Sequence, residues 1–261
     1  MPSSNDPPTF DVLGVPVRAL DLPRAIAWFL DRAARREKAI AIFRDVHGVV
    51  RCQDDPDFLR IHREAALVCP DGMPLVWLGR RRGHRDMGRV YGPDLMRALF
   101  EATRDGSASH FLFGGKAGVA ERLKQSLEQQ YPGCRIAGIW TPPFGPMTDG
   151  EDASLRATLA DCRPDFFWVG LGTPKQERFM DASLDRLDAT VFLGVGAAFD
   201  YLSGEVREPP AWLRRLGLQW LARIFQEPRR LFHRYLVTVP RFLALLACPR
   251  LRSDQNGASH P

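Results

Sequence analysis

Short apolar runs separated by amphipathic stretches recur from about residue 10 to residue 196, and this rhythm constrains the fold more than any other feature of the chain. The runs are "FDVLGVPV" (10–17), "AIAIF" (39–43), "ALVC" (66–69), "HFLFG" (110–114), "RIAGIW" (135–140), "DFFWVG" (165–170) and "TVFLGVG" (190–196). Between them lie stretches of helical period at 23–38, 57–64, 94–104, 117–130, 152–162 and 175–187. Strands and helices in alternation predict α/β units around a largely parallel sheet. "FFWVG" and "VFLGVG" are near-continuously apolar, as strands covered on both faces must be. The 261 residues suffice for one such body with an appendage.

The rhythm stops near residue 204. From Glu205 to Arg252 there are ten arginines, no lysine and three acids, a net +7 against +5 for the whole chain. The charge therefore belongs to the tail. Its pattern predicts two or three helices punctuated by Pro209-Pro210, Pro228 and Pro240, and its longest apolar stretch falls short of the ~20 residues of a membrane span. The expected organisation is a disordered lead (1–9), an α/β body (10–204), a basic helical appendage (205–248) and a disordered end (249–261). The five cysteines show no paired or metal-ligand spacing, and the N-terminus has no apolar core of the signal-peptide kind. Reduced thiols and a cytoplasmic location follow as expectations.

Three runs end in glycine pairs: "FLFGGKAG" with Gly114 and Gly115, "FWVGLGTP" with Gly172, and "FLGVGAAFD" with Gly196 and Asp200. Ligands of open α/β sheets bind beyond the carboxyl ends of the strands, where glycine admits a backbone close to a phosphate. The dinucleotide fingerprint wants a third glycine where the second turn has Lys175. Lys175 can offset phosphate charge and Gln176 can reach a base or sugar; Lys175 and Glu177 also read as ordinary first-turn surface residues. "CPDGMP" places Asp71 at a strand end, the usual home of an active-site carboxylate, although Asp there can equally cap the next helix. Arg89 precedes "YGPDL", in which Asp94 reads as a cap. Asp45 and His47 follow another strand end. Nucleophilic-triad order, HExxH and Asp-x-Asp metal motifs are all missing, so no metal is expected.

The strings "CPDGMPLVW", "RVYGPDLM", "VGLGTPKQERFM" and "GLQWLARIFQEPRR", in that order, resemble the WecG/TagA/CpsF glycosyltransferases (glycosyltransferase family 26) over roughly residues 10–245. "PKQE" together with "GLxWLxRxxQEPxR" is specific to that family. The resemblance implies a Rossmann-like body, a catalytic aspartate at Asp71, a functional arginine at Arg89 and a donor-site glutamine at Gln176. The family's Thr-x-Asn motif falls on Phe43 and Asp45, where this chain departs from it.

The implied reaction is inverting transfer of a sugar from UDP to a polyprenyl-diphosphate-linked glycan acceptor, with no cofactor beyond the UDP-sugar donor. Asp71 would take the acceptor hydroxyl's proton. Glycine-turn amides, a helix N-terminus and arginines would meet the charge on the departing UDP. Arg223, Arg229 or Arg230 of the tail would lie over the diphosphate, while the Arg/Trp/Leu/Phe mixture suits the inner face of the cytoplasmic membrane. No nucleic-acid motif is present, and self-association stays open. Two rival readings are a non-catalytic, membrane-tethered nucleotide-binding module and an NAD-dependent oxidoreductase.

Overall fold

The computed structural model describes residues 6–210, 212–213 and 228–247. Six strands form one sheet in which every neighbouring pair is parallel. They are β3 (Ala39–Arg44), β4 (Leu67–Pro70), β5 (Ser109–Gly114), β6 (Arg135–Trp140), β7 (Phe166–Gly170) and β8 (Val191–Gly194), in the spatial order β4-β3-β8-β7-β5-β6. Successive side chains of a strand point to opposite faces, and both faces here are apolar. Ala41, Phe43, Phe166, Trp168 and Leu193 meet helices α5 (Gly92–Ala102) and α6 (Val119–Gln130) on one side. On the other side Ile40, Ile42, Phe167, Val169 and Phe192 meet α3 (Pro56–Glu64), α7 (Asp149–Cys162) and α8 (Lys175–Ser183). Two buried faces are the reason the strands read as unbroken apolar runs.

The first run is not a strand of this sheet. It folds into an antiparallel hairpin, β1 (Thr9–Val12) and β2 (Val15–Arg18), reversed at Leu13 and Gly14 with φ of 55° and 85°. Two positive φ values are what a tight hairpin requires. The turn escapes sequence reading because its first position holds leucine, not Asn or Asp. Its lead is anchored as well: Asp6 Oδ1 accepts from Trp28 Nε1 at 3.0 Å, and Pro7 O accepts from Arg18 Nη1 at 3.0 Å, so order begins before residue 9.

Helix α1 (Leu22–Ala34) also follows the predicted pattern and α4 (Met73–Arg81) follows the Asp71 strand end, whereas the short α2 (Val46–Arg51) and α9 (Ala198–Leu202) have too few residues to show a period. The last described helix, α10 (Pro228–Ala247), runs through Pro240, which was expected to break it. Proline forfeits one helical hydrogen bond. The residues after it are held from outside: Phe242 and Leu245 are buried in a cluster with Phe10, Val49 and Leu75, and Arg241 grips Asp54 at 2.5 and 2.6 Å. Among the described residues no helix is long and apolar enough to cross a membrane.

Candidate active site

The loops beyond the carboxyl ends of the strands enclose a cavity of about 1370 Å³. That exceeds the 300–1,000 Å³ or so of a typical small-molecule site. Asp45, His47, Asp71 and Arg89 line it around the ends of β3 and β4; Gly196 and Asp200 line it after β8. Gly172, Lys175 and Gln176 line it after β7, and Gly115 and Lys116 after β5. Residues 141–147 after β6 and Thr238 and Val239 of α10 complete the wall. Asp71 thus shares one cavity with all three glycine turns.

Backbone bonds hold Asp71 in place. Its N–H and that of Gly72 both donate to Arg44 O, at 2.8 and 3.3 Å, while Val90 N donates to Pro70 O at 2.8 Å. The segment carrying Arg89 is thereby tied to the strand end carrying the aspartate. Gly72, not Asp71, is the cap of α4, so the capping alternative for Asp71 falls away. Asp45 does cap: its Oδ1 accepts from Gly48 N at 2.8 Å at the start of α2. A Cβ on Gly72 would lie 3.4 Å from Asp45 Cα, so the two acidic turns touch. His47 Nδ1 lies 3.5 Å from Thr238 Oγ1 of α10. The guanidinium carbon of Arg89 lies 4.6 Å from the Tyr91 ring centre, and its Nη2 lies 3.7 Å from Asp94 Oδ2. The cap of α5 is Tyr91, and Asp94 lies in its first turn; the cap reading of Asp94 is corrected.

Gln176 and Glu177 turn inward. Gln176 Nε2 donates to Gly194 O at 2.8 Å, and its Oε1 accepts from Gly172 N at 3.2 Å, so one amide staples the turns after β7 and β8. Glu177 is fully buried and does not line the cavity. Its Oε1 accepts from Arg44, from Thr173 Oγ1 at 2.9 Å and from Gln176 Nε2 at 3.2 Å. The expected cradle of glycine amides is also altered, because each amide has an internal acceptor. Gly115 N donates to Gly170 O, Gly196 N to Val169 O, and Gly172 N to Gln176. Gly114 lies behind the wall: with φ of 129°, a Cβ there would stand 2.7 Å from the Gly170 backbone. Among the described residues, Arg89, Lys116 and Lys175 bring side-chain cations to the cavity lining, which also includes the glutamate-paired Arg44.

The glycosyltransferase family model "Glycosyl transferase WecG/TagA/CpsF family" matches residues 10–256. The chain belongs to the WecG/TagA/CpsF family. As such it is a glycosyltransferase, a UDP-sugar-dependent hexosyltransferase. A Bacillus subtilis (strain 168) relative named N-acetylglucosaminyldiphosphoundecaprenol N-acetyl-beta-D-mannosaminyltransferase is 29% identical over 191 residues, 72% of this chain and 71% of its own. A relative of the same name from Staphylococcus aureus (strain MW2) is 25% identical over 190 residues, 73% of this chain and 72% of its own.

Arg223 lies outside the described residues; Arg229 and Arg230 fall in the first turn of α10, where the side chains are not described. Cavity residues without a functional signal in the sequence include Lys116, Tyr91, Phe144 and Thr238. Lys116 and Tyr91 stand inside quoted motifs but looked like filler. Phe144, below Lys175 at 5.4 Å, and Thr238 sit on a proline-rich loop and a distant helix with no motif signal. Burial, with Tyr201 and Asp71 nearby, pushes the Tyr91 phenol well above its usual range, so it stays protonated in the cavity of this WecG/TagA/CpsF member.

Proposed function

We propose that this enzyme performs inverting transfer of a sugar of the N-acetylmannosamine, N-acetylmannosaminuronate or glucose type from UDP to a polyprenyl-diphosphate-linked glycan, in the synthesis of a cell-surface polysaccharide or exopolysaccharide. The observation that carries the reading is the placement of Asp71 in one large cavity with Arg89, Lys116 and Lys175. An acceptor hydroxyl must lose its proton as it attacks the anomeric carbon, and a carboxylate within hydrogen-bond reach is worth roughly 10²–10⁴-fold. Asp71 is assigned that role. The departing diphosphate gains charge, and cations placed beforehand in a partly dry site stabilise it most; Arg89, Lys116 and Lys175 are assigned to it. Gln176 acts by holding two turns in register. A cavity larger than one small ligand needs suits a donor and an acceptor together.

The named relatives support the lipid-linked acceptor and the N-acetylmannosamine donor. The arginines from residue 205 onward are taken to meet an anionic bilayer surface, with the enzyme working at the inner face of the cytoplasmic membrane. A panel of UDP-sugars with short-chain polyprenyl-diphosphate mono- and disaccharides identifies both substrates. The Asp71→Asn enzyme is expected to lose at least about 10²-fold in turnover while binding UDP with unchanged Kd. Tight NADH binding without competition from UDP would overturn the assignment, as would full turnover by Asp71→Asn.

A further inference from the structure

Two helices that border the cavity carry apolar side chains into solvent. On α4, Pro74 lines the cavity, and Trp77 and Arg81 follow it at the i+3 and i+7 spacing of one helix face. All three are exposed, Trp77 by 52%. On α10, Val239 lines the cavity and is exposed, and the exposed Leu236 and Leu243 share its face three residues before and four after. Each stripe therefore runs outward from the cavity rim. The two helices are joined through their buried sides, since Leu75 and Val76 of α4 belong to one apolar cluster with Phe242 and Leu245 of α10. A lone exposed apolar residue needs no explanation; four on two stripes that start at a substrate cavity mark a contact surface.

The end of α4 sets the chemistry of that contact. Residues 80–85 hold four arginines and no acid, and Arg80, Arg81, Arg82 and Arg85 are all exposed. The acid that follows, Asp86, faces Arg24 at 3.8 Å. A tryptophan beside clustered arginines is the composition of a surface that lies in a bilayer interface, with the ring among the headgroups and the guanidinium groups on the phosphates. We propose that the exposed faces of α4 and α10 are the surface by which the folded body docks on an anionic bilayer, so that the cavity opens toward the lipid at Pro74 and Val239. The inference rests on the lipid-linked acceptor proposed above, and it adds the face that meets the bilayer. Asp71 directly precedes Gly72, the cap of α4. An acceptor headgroup arriving from this face reaches the assigned base first, while Lys116 and Lys175 stand beyond β5 and β7. The charge of the tail attracts the enzyme to the surface; docking through the body orients it.

The test is sedimentation of the full-length protein with phosphatidylglycerol-containing vesicles and with pure phosphatidylcholine vesicles, read beside Kd for UDP. Wild type is expected to bind the anionic vesicles. Trp77→Ala is expected to weaken that binding about ten-fold, and Arg81→Glu with Arg85→Glu at least about ten-fold. Leu236→Ser with Leu243→Ser is expected to act in the same direction from α10. UDP affinity is expected to stay within two-fold in all three variants, as is turnover of a short-chain acceptor in solution, while turnover of a long-chain acceptor held in anionic vesicles falls with binding. If wild type binds these vesicles and the α4 variants bind equally well, the tail alone makes the contact; the proposal is then overturned and the reading of the enzyme stands. Loss of UDP affinity or short-chain turnover as large as the loss of vesicle binding also overturns it, because the helix then serves the fold and not a surface. Wild type that binds neither vesicle overturns the membrane reading and this proposal together. Should the double glutamate variant fail to fold, Arg81→Gln with Arg85→Gln serves, with the same outcomes deciding.

Discussion

At the scale of single residues, the least expected group is the buried Arg44–Glu177 pair, of which Arg44 lines the cavity. Removing one charge strands the other. Glu177→Ala is expected to cost about 3–5 kcal/mol, seen as a fall of roughly 10 °C in Tm. Arg44→Met with Glu177→Leu removes both charges and is expected to recover most of that loss. His110 makes a second buried network. Trp168 Nε1 donates to His110 Nδ1 at 3.0 Å, which leaves the proton on Nε2 to be donated to Thr103 Oγ1 at 2.8 Å, and Thr103 Oγ1 in turn donates to Leu99 O. Burial depresses this imidazole to about 3, and burial with Arg44 nearby does the same for His62. The unfolded chain binds these protons near pH 6.5 and the folded chain only near 3, so the stability they confer is present above 6.5 and lost as pH falls through that window. Each contributes up to about 1.4 kcal/mol per pH unit. Urea unfolding at pH 7, 6 and 5 is expected to show a falling midpoint; a flat one would refute the assignment.

At the scale of elements, the decisive contacts are those that bring loops together. Gly114 has the positive φ of an end-of-strand turn, and its Cα abuts the Gly170 backbone. Gly114→Ala meets both obstacles and is expected to destabilise by about 3 kcal/mol, measured by chemical unfolding. Helix α10 is held by Phe242 and Leu245 and by the exposed Arg241–Asp54 pair. Arg241→Ala is expected to change stability by less than about 1 kcal/mol. Phe242→Ala removes an apolar anchor and is expected to release α10, so that proteolysis cuts before residue 228 more readily and turnover falls as Thr238 and Val239 leave the cavity wall, while the Tm of the body hardly moves. The run of α10 through Pro240 was illegible in sequence, because a proline's local penalty is visible there and the tertiary anchors that offset it are not.

At the scale of the whole molecule, the cavity crosses six strands, about 24 Å at the usual strand spacing, with acids toward the β4–β3 side and lysines toward β7 and β5. A tail of net +7 attached to this body is expected to give binding to anionic vesicles and not to neutral ones, weakening as salt is raised; sedimentation of the full-length protein with each vesicle type measures it. The strand runs, the glycine turns and Asp71 could all be read from the chain, because periodicity and turn chemistry are local and each is written within a few neighbouring residues. Which of those turns face one another, that Gln176 and Glu177 spend their polar atoms inside the protein, and that the glycine amides are already bonded depend on strand order and on contacts between residues distant in sequence. A single chain carries the period of each element. It does not carry their register, and register decides which side chains are left to face a substrate.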